Sequence, residues 1–273
     1  MKLRNVLTAL KHPNIANEYA QWEFQKQVLK RPPTKTIAKR MKIGGFCSFS
    51  EYYSVDKYLR NADVSFFESS PSESGAIIDI GANLGVICIL LAQRYPSAKV
   101  YAFEPNPKVV SELQQNVALN DINNIEVNET AIADTVGHVS FHAEPVARAT
   151  AGIALIEEAN TTTVPCDTID NFVQANGIEK ISLMKIDVEG FETLVFRGAK
   201  QTLAEIKPEL IYFEVCPKVT EASGFSADEP AKILVDAGYS LFQIRDDGEL
   251  TSVEPRDARK VDYDNWVARP SEI

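Results

Sequence analysis

Cysteine, histidine and long apolar runs are scarce in this chain of 273 residues, which has four cysteines, three histidines and two tryptophans. Cys47, Cys88, Cys166 and Cys216 lie far apart and form no C-x-x-C pair, so neither a zinc site nor a disulfide framework is signalled. Cys88 falls in the apolar run Val86 to Leu91 and reads as a buried, reduced thiol. No apolar stretch approaches the roughly 20 residues that span a bilayer. The N-terminus also lacks the continuous apolar core of a secretory signal. A soluble, cytoplasmic protein without a membrane span is the expectation.

Charge is present but unevenly spread. The net charge is −10. Residues 1–42 carry ten Lys and Arg against Glu18 and Glu23, about +8, which leaves −18 on the rest. Such an arm suits an anionic partner, or it folds back on its own acidic domain. The second reading is favoured, because the arm has no Gly-rich or aromatic-interleaved nucleic-acid motif.

The first 75 residues read as helical and irregular. Ile15, Tyr19, Trp22 and Leu29 recur near helical spacing until Pro32-Pro33, and a second short helix opens at a Ser50 cap. From residue 76 strands and helices alternate. Strands are predicted at 76–80, 99–103, around 125–127, at 181–186, 210–213 and 239–244, with helical periodicity between them. This rhythm predicts an α/β fold with a parallel sheet. Residues 136–166 interrupt it with two strands and an Ala-rich stretch, Ala143 to Asn160, that reads as a loop or lid. His138 and His142 are four apart on the first of these strands and share a face. His142 is a candidate base, although a surface-strand histidine is the simpler reading, and His12 beside Pro13 reads as exposed.

Three segments carry chemistry. Asp79-Ile80-Gly81-Ala82-Asn83-Leu84-Gly85 follows a strand and opens a helix, where glycines let backbone amides approach a ligand. The dinucleotide pattern G-x-G-x-x-G would need glycine at positions held by Asn83 and Val86. An acid two residues before G-x-N-x-G suits the amino-acid end of S-adenosylmethionine instead. Glu104, in Phe103-Glu104-Pro105-Asn106 at the end of the second strand, can accept hydrogen bonds from both ribose hydroxyls. Lys185-Ile186-Asp187-Val188-Glu189-Gly190-Phe191-Glu192 ends the fourth parallel strand, where a methyl group would face its acceptor. An alcohol acceptor must lose a proton, which makes Asp187 and Glu189 candidate catalytic bases. The alternative makes Glu189 and Glu192 solvated acids favoured by a helix dipole.

These blocks, in this order, closely resemble the FkbM-type methyltransferases. Asp167-Thr168-Ile169-Asp170, Glu209 to Val215 and Asn265-Trp266-Val267-Ala268 fit the same pattern. The resemblance covers roughly residues 76–268. It implies a class I methyltransferase (Rossmann-like) sheet of seven mostly parallel strands in the order 3-2-1-4-5-7-6, with helices on both faces. It also implies S-adenosyl-L-methionine as donor and O-methylation of a hydroxyl on a sugar, glycan or secondary metabolite. Carried onto this chain, it gives Asp79, Gly81, Asn83 and Gly85 to the methionine moiety and Glu104 to the ribose. Asn106 falls to the adenosine, Thr130 and Ala131 to the adenine, and Asp187 to the neighbourhood of the methyl group. Residues 76–273 are then the methyltransferase domain. Residues 1–75 are expected to form a helical cap over the crevice or an extension through which a homo-oligomer forms.

Other readings stay open. Asp187, Glu189 and Glu214 could gather three carboxylates for magnesium in a metal-assisted O-methyltransferase, although no metal is expected. The fold could also persist as a catalytically silent S-adenosylmethionine-binding scaffold. Nucleic acid is not the expected substrate: Asp187 is not followed by Pro-Pro-aromatic, and Pro165-Cys166 precedes the fourth strand, so Cys166 reads as structural.

Overall fold

Parallel strands covered by helices are buried on both faces, and successive side chains then enter different cores. The central strands follow this rule. Ile77, Val100, Leu183 and Tyr212 belong to one buried cluster, and Ile78, Phe103, Met184 and Phe213 to another across the sheet. The computed structural model describes residues 13–55, 60–142 and 161–271. His12, the Ala143 to Asn160 stretch and the side chain of His142 lie outside the described residues.

The chain begins with helix α1 (Pro13–Glu23), which continues into a wider turn at Phe24–Val28. A hairpin of β1 (Lys35–Ile37) and β2 (Met41–Ile43) follows, then α2 (Phe49–Ser54) and α3 (Asn61–Ser69). The hairpin and α3 are additions to the helical reading of this region. The cap of α2 is Ser48, whose side chain accepts from the Glu51 amide, two residues earlier than the Ser50 expected. Next come β3 (Ala76–Ile80), α4 (Val86–Arg94), β4 (Val100–Phe103), α5 (Pro107–Leu119) and β5 (Ile125–Asn128). A small separate sheet holds β6 (Ala131–Ile132), β7 (Gly137–His142) and β8 (Thr161–Asp167). The main alternation resumes with α6 (Ile169–Ala175), β9 (Ile181–Ile186), α7 (Glu192–Arg197), β10 (Ile211–Val215), α8 (Pro217–Ala222) and α9 (Glu229–Asp236). It closes with β11 (Tyr239–Ile244), β12 (Leu250–Val253) and β13 (Asp264–Pro270).

The main sheet has eight strands in the order β5-β4-β3-β9-β10-β13-β11-β12. β5, β4, β3, β9 and β10 are mutually parallel, and β13 runs antiparallel to both β10 and β11. The first seven strands reproduce the order 3-2-1-4-5-7-6. The eighth, β12, corrects the seven-strand expectation. It pairs with β11 at the sheet edge across a turn containing Asp247-Gly248, and its side chains are exposed or half-buried. An edge strand with no buried face leaves little hydrophobic pattern to find.

The described N-terminal residues share a core with the sheet. Trp22, Met41, Ile43, Phe66 and Phe67 belong to the cluster that holds Ile77 and the inner face of α4. Polar contacts fix the hairpin on α5. Asn116 Oδ1 accepts from the Gly44 amide at 2.8 Å, and its Nδ2 donates to the Leu84 carbonyl at 2.9 Å. Asn120 bonds both backbone groups of Lys42. Two of the basic residues here pair within the fold, Lys35 with Glu18 and Arg40 with Glu68.

Candidate active site

The loop after β3 is a tight bend that only particular residues permit. Gly81, Asn83 and Gly85 have φ of +78°, +50° and +88°. A Cβ on Gly81 would collide with the Asp187 carbonyl oxygen, so this glycine lets the loop press against the end of β9. Gly85 serves packing at the start of α4, where a Cβ would strike Leu113 of α5.

Beneath the loop lies a buried ion pair. Asp79 on β3 and Lys185 on β9 are register partners on adjacent strands. Lys185 Nζ is 3.1 Å from Asp79 Oδ1, and both side chains are almost fully buried. The ammonium also donates to the Gly81 carbonyl at 2.8 Å and stands 3.8 Å from Asp187 Oδ2. Burial alone would depress the Lys185 ammonium, but the carboxylates of Asp79 and Asp187 reverse this and raise it, so it stays charged. The sequence motifs give Lys185 no role of its own. A lone lysine in the apolar strand Ile-Ser-Leu-Met-Lys-Ile is the signal that could have found it, because a buried charge requires a partner.

Glu104 follows β4 and is held by amides on both sides. Its Oε2 accepts from the Asn83 N–H and its Oε1 from the Asn106 N–H, each at 3.0 Å. A carboxylate has about four lone-pair sites, so each oxygen retains acceptor capacity. Burial raises the Glu104 carboxyl above its usual range, while the two amides oppose that shift. Asn106 is buried, and its side chain caps α5 by accepting from the Lys108 amide.

A cavity of about 600 Å³ runs along these strand ends. Gly81, Asn83, Glu104, Asn106, Thr130, Ala131, Asp187 and Glu189 all line it. Asp79 sits below it, fully buried. Tyr212, Tyr263 and Asn265 line it too, and no sequence motif marks them as site residues. Tyr263 and Asn265 come from the start of β13, whose antiparallel course brings Asn265 opposite Glu214 on β10. Glu51, in the first turn of α2, and Val55, its C-cap, form a further part of the wall.

The acidic end of the cavity differs from a solvated helix terminus. Glu192 is buried and accepts from the Val188 and Gly190 amides at 3.1 and 3.3 Å, so it braces the loop after β9. Glu189 has φ of +55°, an uncommon conformation for a side-chain-bearing residue. Burial, then the neighbouring Asp187 and Glu192, push its carboxyl up to about 8. Burial, then Asp187, push Glu214 up to about 9. Among the described residues no three His, Cys, Asp or Glu side chains are arranged to hold a metal ion.

The family model for the methyltransferase FkbM domain matches residues 79–241, more than half of the chain and the whole run from Asp79 to β11. The chain belongs to the FkbM methyltransferase family. Relatives include Methyltransferase 1 of Beauveria bassiana, 24% identical over 45% of this chain and 57% of that protein. The hexuronic acid methyltransferase AglP of Haloferax volcanii is 23% identical over 60% and 69% of the two chains. The 2-O-methyltransferase NoeI of Sinorhizobium fredii is 27% identical over 50% and 62%. The matched region thus spans between 57% and 69% of these three relatives' own lengths.

In this FkbM family member Cys166 is not an activated thiol. It pairs within the small sheet and burial pushes it up to about 11, the opposite of what a nucleophilic cysteine needs. Among the described residues no helix is long and apolar enough to cross a membrane.

The raised carboxyls make stability fall with pH. Glu192, Glu189 and Glu214 shift from 4.5 to about 7, 8 and 9. Above about pH 4.5 the unfolded chain gives up protons that the folded chain retains, so unfolding becomes easier as pH rises through the folded values. The melting temperature, followed by scanning calorimetry, is expected to drop from pH 5 to pH 9. Glu214→Gln should flatten that slope; an unchanged slope would contradict the assignment.

Proposed function

We propose that this chain transfers the methyl group of S-adenosylmethionine to a hydroxyl oxygen of a sugar, glycan or secondary metabolite. The observation that carries the reading is the state of Glu104. Each of its oxygens is oriented by one backbone amide and keeps capacity for one more donor, which suits two adjacent ribose hydroxyls. Asp79, buried beneath the glycine loop and paired with Lys185, supports the bend that would receive the amino-acid end. Gly81, Asn83, Thr130 and Ala131 all line the cavity, and in this reading the last two meet the adenine. The cavity volume falls within the roughly 300–1,000 Å³ usual for small-molecule sites.

S-adenosylmethionine, when bound, supplies a methyl group already activated by its sulfonium. The chain then has to align the acceptor and remove its proton. Glu189 is the base in this reading. Its carboxyl lines the cavity and its proton affinity lies near neutral pH, where a general base works best. Asp187, beside Lys185, orients the reacting groups. The relative named as a 2-O-methyltransferase supports oxygen as the accepting atom. The His142 side chain, the third candidate, lies outside the described residues.

Isothermal titration with S-adenosylhomocysteine tests the reading. Binding is expected, and Glu104→Gln should weaken it roughly 10- to 100-fold, the worth of a hydrogen bond to a charged group. Well-folded protein that takes up no heat from this nucleoside would refute the assignment.

A further inference from the structure

The described wall of the cavity is rich in acidic side chains and poor in basic ones. Glu51, Glu104, Asp187, Glu189 and Glu214 line the cavity, and Lys185 is the single cation among the described lining residues. That ammonium is committed to Asp79 and to the Gly81 carbonyl. Glu104 is held by two amides, and Glu51 accepts from the Cys47 amide at 2.6 Å. Glu214 is different. It is only 7% exposed, it faces the cavity, and no donor to its carboxyl is found among the described residues.

Resting on the methyl-transfer reading, we propose that this wall of the cavity selects a polyhydroxylated acceptor without negative charge, and that Glu214 is the residue that holds it. A side chain that is mostly buried, faces the cavity and has no partner among the described residues is placed to take one from a ligand. With burial first, and then Asp187, Glu192 and Glu189, disfavouring a further negative charge, the Glu214 carboxyl keeps its proton near neutrality. A protonated carboxyl donates one hydrogen bond and accepts others, which matches a hydroxyl group that does both. A carboxylate or phosphate would meet Asp187 and this row of acids at close range, with no uncommitted cation among the described lining residues to offset it.

The test uses three matched sugars, a methyl hexopyranoside, its 2-amino analogue and the corresponding hexuronate, titrated into protein saturated with S-adenosylhomocysteine. The neutral and amino sugars are expected to bind at least about tenfold more tightly than the hexuronate, since like charges brought together disfavour the wrong ligand. Glu214→Leu should weaken the neutral sugar about tenfold, the loss of its hydrogen bonds, while S-adenosylhomocysteine still binds. Equal or tighter binding of the hexuronate overturns the inference, as does binding by none of the three, or a Glu214→Leu protein that holds the neutral sugar as well as before. If S-adenosylhomocysteine itself does not bind, the methyl-transfer reading falls instead, and the same three sugars are compared on the ligand-free protein.

Discussion

Glu189→Gln is expected to lower turnover about 10²- to 10⁴-fold, the usual worth of a positioned general base, while S-adenosylhomocysteine affinity stays within about twofold of the unsubstituted protein. Glutamine keeps the size of the side chain and can occupy the same left-handed backbone at +55°. What it loses is the ability to take a proton. The pH profile separates this loss from simple damage. The base must be deprotonated to act, so kcat should rise with pH and level off above about 8. That rising limb should disappear in Glu189→Gln. This opposes the stability trend, because the same burial that holds the proton on Glu189 makes its ionised form costly to the fold. A rate unchanged by the substitution would remove Glu189 from the reaction and leave Asp187 as the remaining described candidate.

Lys185→Met should destabilise the protein by about 3–5 kcal/mol, the cost of leaving one partner of a buried pair uncompensated. Asp79 is fully buried and its ion partner is Lys185; without it the carboxylate must protonate or the strand ends must open to water. The double variant Asp79→Asn with Lys185→Met should regain most of the loss, because removing both charges together costs far less than removing one. Urea unfolding of the four proteins in this cycle gives the coupling directly. A single variant that loses less than about 1 kcal/mol would show that the pair is not the support of the strand ends that its burial implies.

The legibility of the fold followed the strength of each periodic signal. Ala76 to Ile80 and Ile181 to Ile186 were readable to the residue because a strand buried on both faces is almost wholly apolar. β12 was not, since an edge strand of Leu-Thr-Ser-Val presents no buried stripe. The hairpin at Lys35–Ile43 was missed for a related reason. Its strands have three residues each and hold their place through Asn116 and Asn120, more than 70 positions away. Among site residues, those in contiguous motifs were visible, as with Asp79, Glu104 and Asp187. Tyr263 was not, because an antiparallel last strand brings it to the cavity from a distant part of the chain, and the blocks that hold Tyr212 and Asn265 carry no local sign that these side chains line it.

Local sequence alone determined where the chain could turn on glycine, which strands had to be buried, and that acids stand at the tips of two of them. These follow from backbone sterics and hydrophobic periodicity, which act within a few residues. Only the tertiary structure decided what those acids do. Asp79 became half of an ion pair when β9 docked beside β3, and Glu192 became a brace instead of a solvated cap. Glu189 and Glu214 acquired proton affinities above neutrality when packing took their carboxyls out of water and set them near other acids. Charge state depends on desolvation and on neighbours several ångströms away, and the chain order of residues does not reveal which neighbours those will be.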